Sequence, residues 1–275
     1  MSSRIVSSLS ALLLSLFVVA CSDQAAAPSA EKTDGGKAAI VIGLDDNYPP
    51  IGFRDEKGEL TGSDIDLAKE AAKRLNRPVT FKPIDWASKE AELGSGKIDV
   101  IWNGLTITEE RKKNILFTEP YQQAGQVIAL KKDSPVQKLE DLKGKVIAIQ
   151  DGSTAEDTLR KDPELAALFK EVKRYADMAT IYMDLKLGRL DGAILDEPLS
   201  RYYISKDPEN FRALPEALSV EYDAIGVALG NTELQQDLNR VLKEMYDDGT
   251  TKAIFEKWFG KDISLPINVP TAAAQ

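Results

Sequence analysis

From Ala38 onward, short apolar runs alternate with amphipathic stretches. Ala39-Ile-Val-Ile-Gly-Leu44 reads as a buried strand. A helix opens at Ser63 or Asp64, where Ile65, Ala68, Ala72 and Leu75 recur at helical spacing, and Asn76-Arg77-Pro78 closes it. Further strand-like runs are Val79 to Ile84, Asp99-Val-Ile-Trp102, Gln126-Val-Ile-Ala-Leu130, Lys145-Val-Ile-Ala-Ile149, Glu171-Val-Lys-Arg-Tyr175, Ala193-Ile-Leu195 and Ile225-Gly-Val-Ala-Leu229. The last periodic stretch is a helix over Thr232 to Asp247, with Leu234, Leu238, Val241, Leu242 and Met245 on one face, followed by a short helix through Phe255 to Trp258. Helical patterns between most of the strands predict an α/β protein with largely parallel sheets.

The residues before Ala38 carry a different pattern. Arg4 precedes an apolar stretch from Leu9 to Val19, broken by Ser10 and Ser15, that is too short to span a bilayer comfortably. Val18-Val19-Ala20-Cys21 follows and resembles the bacterial lipobox, whose cysteine is diacylated and becomes the first residue of the mature chain; the alternative is a chance cysteine at an ordinary signal-peptidase site. From Ser22 to about Lys37 small and charged residues without apolar period suit a tether.

Composition narrows the chemistry. Cys21 is the sole cysteine and the chain has no histidine, which removes intrachain disulfides, His-based triads, the common zinc sites and imidazole acid–base work. A formal charge of −9 without a basic block argues against nucleic acid as a partner.

An internal echo points to two similar lobes. Gly96-Lys-Ile-Asp99 and Gly188-Arg-Leu-Asp191 each place a glycine, a cation, an aliphatic residue and an aspartate before a strand, although generic helix-to-strand turn chemistry gives the same pattern. If the lobes are similar, both strands end near one cleft, since open parallel sheets bind ligands beyond the carboxyl ends of their strands.

Beyond the first of these strands, Trp102-Asn103-Gly104-Leu105-Thr106-Ile107-Thr108 leads to Arg111, whose planar fork matches a carboxylate. Arg111 is either such a clamp or a solvated arginine in the charged stretch Glu109 to Lys113. Gly152-Ser153-Thr154 turns a strand into a helix whose first N–H groups attract anions, or else Ser153 or Thr154 caps that helix. Asp196 follows the strand Ala193-Ile-Leu195 as an acceptor for an ammonium, or as a cap ahead of Pro198. Tyr48, Phe53 and Trp86 fall outside any periodic core pattern, and are either pocket walls or ordinary core.

Taken together, Tyr48-Pro-Pro, Gly62-Ser-Asp-Ile-Asp66, Gly96-Lys-Ile-Asp99, Thr106-Ile-Thr-Glu-Glu-Arg111, Phe117-Thr-Glu-Pro-Tyr121, Asp141-Leu-Lys-Gly144, Gly152-Ser-Thr154, Gly188-Arg-Leu-Asp191 and Lys257-Trp-Phe-Gly260 resemble the polar amino acid binding proteins of ABC transporters, bacterial extracellular solute-binding family 3. The match keeps the family's order and spacing over about residues 38 to 262. It implies a type II periplasmic binding fold: α/β, two lobes with mixed sheets, joined by two crossing strands near Ala124 to Leu130 and Tyr222 to Leu229. On that reading 1–20 is a lipoprotein signal peptide, 21–37 a tether, 38–124 with 228–265 the first lobe, 125–227 the second lobe with the hinge strands, and 266–275 a tail.

The resemblance also implies roles. Arg111 would clamp an α-carboxylate with backbone donors at Thr106 and Thr154, and Ser153 would also bind the ligand. Asp196 and the Gly104 carbonyl would hold an α-ammonium, Tyr48 and Trp86 would sandwich the side chain, and Asp45 and Asn103 would meet its polar end. The implied ligand is a polar or cationic L-amino acid, with arginine, lysine, glutamine and cystine all open. The implied protein is a monomeric carrier outside the cytoplasm, held to the membrane at Cys21. It uses no cofactor or metal and hands its ligand to the permease and ATPase subunits of an ABC importer. The competing class is a dehydratase-like lyase of the same fold, with Asp45 or Asp196 as a general acid of raised pKa. One departure is Ser63, where the family commonly carries an aromatic residue.

Overall fold

The computed structural model describes residues 38–267. The leader, the whole tether with Cys21, and the end of the tail therefore lie outside the described residues. None of the described helices is long and apolar enough to cross a membrane.

Two five-stranded sheets share one plan. The first runs Val79–Pro83, Ile40–Leu44, Val100–Ile101, Gly226–Ala228, Ile115–Phe117. Its first three strands are parallel, and Gly226–Ala228 is antiparallel to both neighbours. The second runs Glu171–Tyr175, Val146–Gln150, Gly192–Asp196, Gln126–Lys131, Phe211–Ala217, again with three parallel strands and an antiparallel fourth. In each sheet the antiparallel strand is the one that arrives from the hinge. The hinge itself is a short antiparallel pair, Gln122–Ala124 against Glu221–Asp223, so the two crossings brace each other.

The echo seen in the sequence is a shared turn. Asp99 accepts the Val41 N–H at 2.7 Å and Asp191 accepts the Val146 N–H at 2.8 Å, and each aspartate's own N–H donates to the same partner's carbonyl at 2.8 Å. Gly96 and Gly188 both have φ of 72°, the left-handed conformation that ends a helix cheaply only at glycine. Each turn thus fastens its strand beside the middle one of the three parallel strands of its sheet.

Packing follows the periodicities. The helix Thr232–Asp247 buries Leu234, Leu238, Val241, Leu242 and Met245 against Ile40, Ile42 and Val100 of the first sheet. In the second sheet Ile147 and Ile149 face one helical layer while Ala148 faces the other, the period of two expected of a strand covered on both sides. Burial of such side chains contributes ~1.5–3 kcal/mol each. Ser63 is buried in the helix Ser63–Leu75, and its hydroxyl has no hydrogen-bond partner among the described residues.

Candidate functional site

The lobes meet over a small, nearly closed cavity lined by Asp45, Tyr48, Trp86, Asn103, Gly104, Thr106, Arg111, Gln150, Ser153, Thr154 and Asp196. The ten residues given a ligand role by the family resemblance all line it, and Gln150 joins them.

One end is cationic. Arg111 is only 5% exposed, so it is not a solvated arginine. Its Nη1 donates to the Thr106 carbonyl at 2.8 Å and its Nη2 to the Gly152 carbonyl at 3.0 Å, and no described carboxylate pairs with it. Burial pulls this guanidinium below its usual pKa range, while more distant carboxylates such as Asp157 and Glu90 oppose the shift. A buried cation bonded only to neutral carbonyls is poised for an anion. Across the cleft, Ser153 stands at the N-cap of the helix Thr154–Lys161 but does not cap it; its hydroxyl donates to the Gln150 carbonyl at 2.7 Å. The first-turn N–H groups are left for another acceptor. Gly152 has φ of 70°, and a Cβ there would stand 3.0 Å from the Ala87 Cα, so only glycine lets the lobes approach at this point.

The other end is acidic. Asp196 sits at the N-cap of Glu197–Lys206 without bonding the helix; its carboxylate accepts instead from Gln126 Nε2. Burial pushes its pKa well above the usual carboxylate range, and the Glu221 and Asp223 carboxylates add to the rise. Asp223 is pushed up to about 6, again mainly by burial. The Gly104 loop is fixed from behind by Asp64, which accepts the Gly104 N–H and the Tyr121 hydroxyl, each at 2.8 Å. Burial raises Asp64 to about 7.

Asp45 lies at a third corner with Asn103, between the walls Tyr48 and Trp86. It accepts from the Asn47 N–H at 2.9 Å and from Gln150 Nε2 at 2.7 Å, and its own N–H donates to Asn103 Oδ1 at 3.0 Å. Burial raises the Asp45 pKa in spite of these bonds. Phe53, unlike Tyr48 and Trp86, does not line the cavity; its ring lies 5.8 Å from Tyr202 and 5.9 Å from Trp258.

Several contributors are invisible in the sequence. Gln150, Gln126, Glu221 and Asp223 are single polar residues in or beside strands, and their partners lie far away along the chain. Lys89 is buried behind Trp86, donates to the Gly152 carbonyl at 2.9 Å across the cleft and stands 4.9 Å from the Trp86 ring centre. Burial and the neighbouring Arg111 push Lys89 down to about 7. Among the described residues no cluster of three or more His, Cys, Asp or Glu side chains is arranged to hold a metal ion.

A two-lobed α/β body with a polar cavity at the strand ends, one charge sign at each end, defines a binding protein that closes over a small zwitterion. The family of bacterial extracellular solute-binding proteins, family 3, matches residues 40–261, and the chain belongs to it. The L-cystine-binding protein TcyJ of Escherichia coli (strain K12) is 33% identical over 230 residues, 83% of this chain and 85% of that protein. An ancestral arginine-binding protein bound to arginine superposes with a TM-score of 0.76 at 43% identity, covering 82% of this chain and 99% of that one. The ancestral amino acid-binding protein AncCDT-1, a precursor of cyclohexadienyl dehydratase, does so with a TM-score of 0.75 at 34% identity, covering 81% and 96%.

Proposed function

We propose that the cavity captures a polar or cationic L-amino acid and that the chain, anchored outside the cytoplasm through Cys21, delivers it as a monomer to the permease and ATPase subunits of an ABC importer. The observation that carries this reading is the pairing of an uncompensated buried guanidinium, Arg111, with an acidic end at Asp196 across one small cavity. A zwitterionic backbone supplies both missing charges at once. Asp45, buried at the side-chain corner, favours a cationic side chain, in keeping with an arginine-bound structure at 43% identity.

A thermal-shift screen against the common amino acids and cystine tests this. At a hundredfold excess over its dissociation constant a ligand adds about 2.7 kcal/mol of stability, an easily read shift. One or a few hits among amino acids support the reading, with arginine or lysine expected first; silence across the set sinks it. For the anchor, Cys21→Ser should release the protein from membranes with its affinity intact.

A second reading is favoured by the raised carboxyls of Asp45 and Asp196, which are the kind of group a lyase uses as a general acid. Binding accounts for both without a reaction, since each lacks a cation that a ligand provides. Turnover of prephenate-type acids above the background rate would reverse this preference.

A further inference from the structure

Three hydroxyls meet one carboxylate beside the hinge. Glu221 Oε2 accepts from Thr106 Oγ1 of the first lobe at 2.9 Å and from Thr154 Oγ1 of the second at 2.8 Å, while Oε1 accepts from Ser219 Oγ at 2.8 Å. Thr106 Oγ1 also lies 3.0 Å from Asp223 Oδ1, so its proton is turned toward the hinge whichever carboxylate takes it. A threonine hydroxyl has one proton and two lone pairs. With both protons committed to the hinge, the hydroxyls of Thr106 and Thr154 can offer the cavity they line nothing but acceptors. Gln126 Nε2 occupies one lone pair of Thr154 from 2.9 Å and leaves the other.

We propose that Glu221 is a positioning residue for the ligand's ammonium: it fixes the polarity of the Thr154 hydroxyl, and shares that of Thr106 with Asp223, so that both lobes turn lone pairs toward the ligand. The assignment rests on the amino acid reading of the site. Neither Glu221 nor Asp223 lines the cavity, so Glu221 acts through the threonines. Its charge also matters for the geometry. A carboxylate accepts at both oxygens, whereas a leucine accepts at neither. Glu221→Leu then frees the Thr154 hydroxyl to turn its proton toward the ammonium.

The test compares two ligands that differ only in the amine, L-arginine and 5-guanidinopentanoate, by titration calorimetry on wild-type protein and Glu221→Leu. Loss of acceptor bonds to a charged donor predicts that the substitution weakens arginine roughly tenfold or more and leaves the deaminated compound within about twofold. Equal losses on both ligands, or no loss on arginine, overturn the proposal. A ligand-free measurement decides it independently. In wild-type protein the Thr154 hydroxyl proton, shielded by its bond to Glu221, should give a slowly exchanging NMR signal that Glu221→Leu removes. Absence of that signal in wild-type protein, or its survival in the variant, overturns the proposal. If wild-type protein binds neither compound, the arginine assignment fails, and the NMR result still stands or falls alone.

Discussion

The strand after Gly96 leads the first lobe to Gly104 and on to a guanidinium, while the strand after Gly188 leads the second lobe to a carboxylate, Asp196. Counted from the two turn glycines, Gly104 and Asp196 occupy the same place, and both line the cavity. Counted from Val41 and Val146, which bond the equivalent aspartates, Asp45 and Gln150 are likewise equivalent, and they hydrogen-bond to each other across the cleft. The lobes therefore share a scaffold down to individual bonds and diverge where their first and third strands end. The shared part supports the sheets; the divergent part sets opposite charges facing one another. A ligand carrying both charges favours closure because it satisfies each lobe by a different group.

The strongest way to break this comparison is at the first lobe. Arg111→Ala leaves a ligand carboxylate desolvated and unpaired, and should cost roughly 2 to 5 kcal/mol of binding, read by calorimetry, for every α-amino acid that binds. Retained affinity would show that the guanidinium serves the fold alone. At the second lobe, Asp196→Asn removes a charge-assisted acceptor and should cost ~1.5–3 kcal/mol, restricted to ligands that carry the amine. If Asp196→Asn reduces binding of amine-bearing and deaminated ligands alike, the division of labour between lobes is wrong.

The acidic end should also make binding depend on pH while the cationic end does not. In the ligand-free protein Asp196 lies well above the usual carboxylate range and Asp223 at about 6, so protons are held there that the ordinary value would release. An ammonium stabilises the ionised forms and lowers both pKa values, so binding expels protons wherever the pH lies between the lowered and the raised values. Affinity should accordingly fall as pH is lowered through about 6, by at most about tenfold per unit for each proton released. Asp196→Asn should flatten part of that slope, and an affinity unchanged between pH 7 and pH 5 would count against a charged acidic end.

Much of the scaffold that carries these groups is legible from the residues. The helix Thr232–Asp247 has the bounds and the buried face its apolar spacing predicts, and Glu171–Tyr175 is the strand its sequence suggests. The short pieces are not legible. Asn47–Tyr48, Gly52–Arg54 and Leu60–Thr61 form a three-stranded sheet, and Gln122–Ala124 pairs with Glu221–Asp223. Two or three residues cannot show a period, and these strands exist because distant chain comes alongside. Phe211–Ala217 is hidden differently: it is an edge strand that holds Pro215 and loses register between Ala213 and Ala217, so its pattern never alternates cleanly. The site divides along the same line. Arg111 and Asp196 follow strand ends and can be singled out with their bland alternatives, whereas Glu221 and Gln150 gain meaning only from Thr106 and Asp45, more than a hundred residues away.

The smallest expected effect tests the shared part of the lobes. Asp99 and Asp191 make the same backbone bond in their respective sheets and touch nothing in the cavity. Replacing either by asparagine substitutes a neutral amide for a carboxylate acceptor and should lower stability by about 1 kcal/mol in chemical denaturation. The cost should be nearly equal in the two variants and ligand affinity should stay unchanged in both. Lys145 lies 3.5 Å from Asp191, whereas Asp99 has no ion-pair partner among the described residues, so any excess should fall on Asp191. That contact is half-exposed and worth ~0.2–1 kcal/mol at most. An asymmetry well beyond it, or a loss of affinity in one variant alone, would mean that one of these turns does more than fasten its strand.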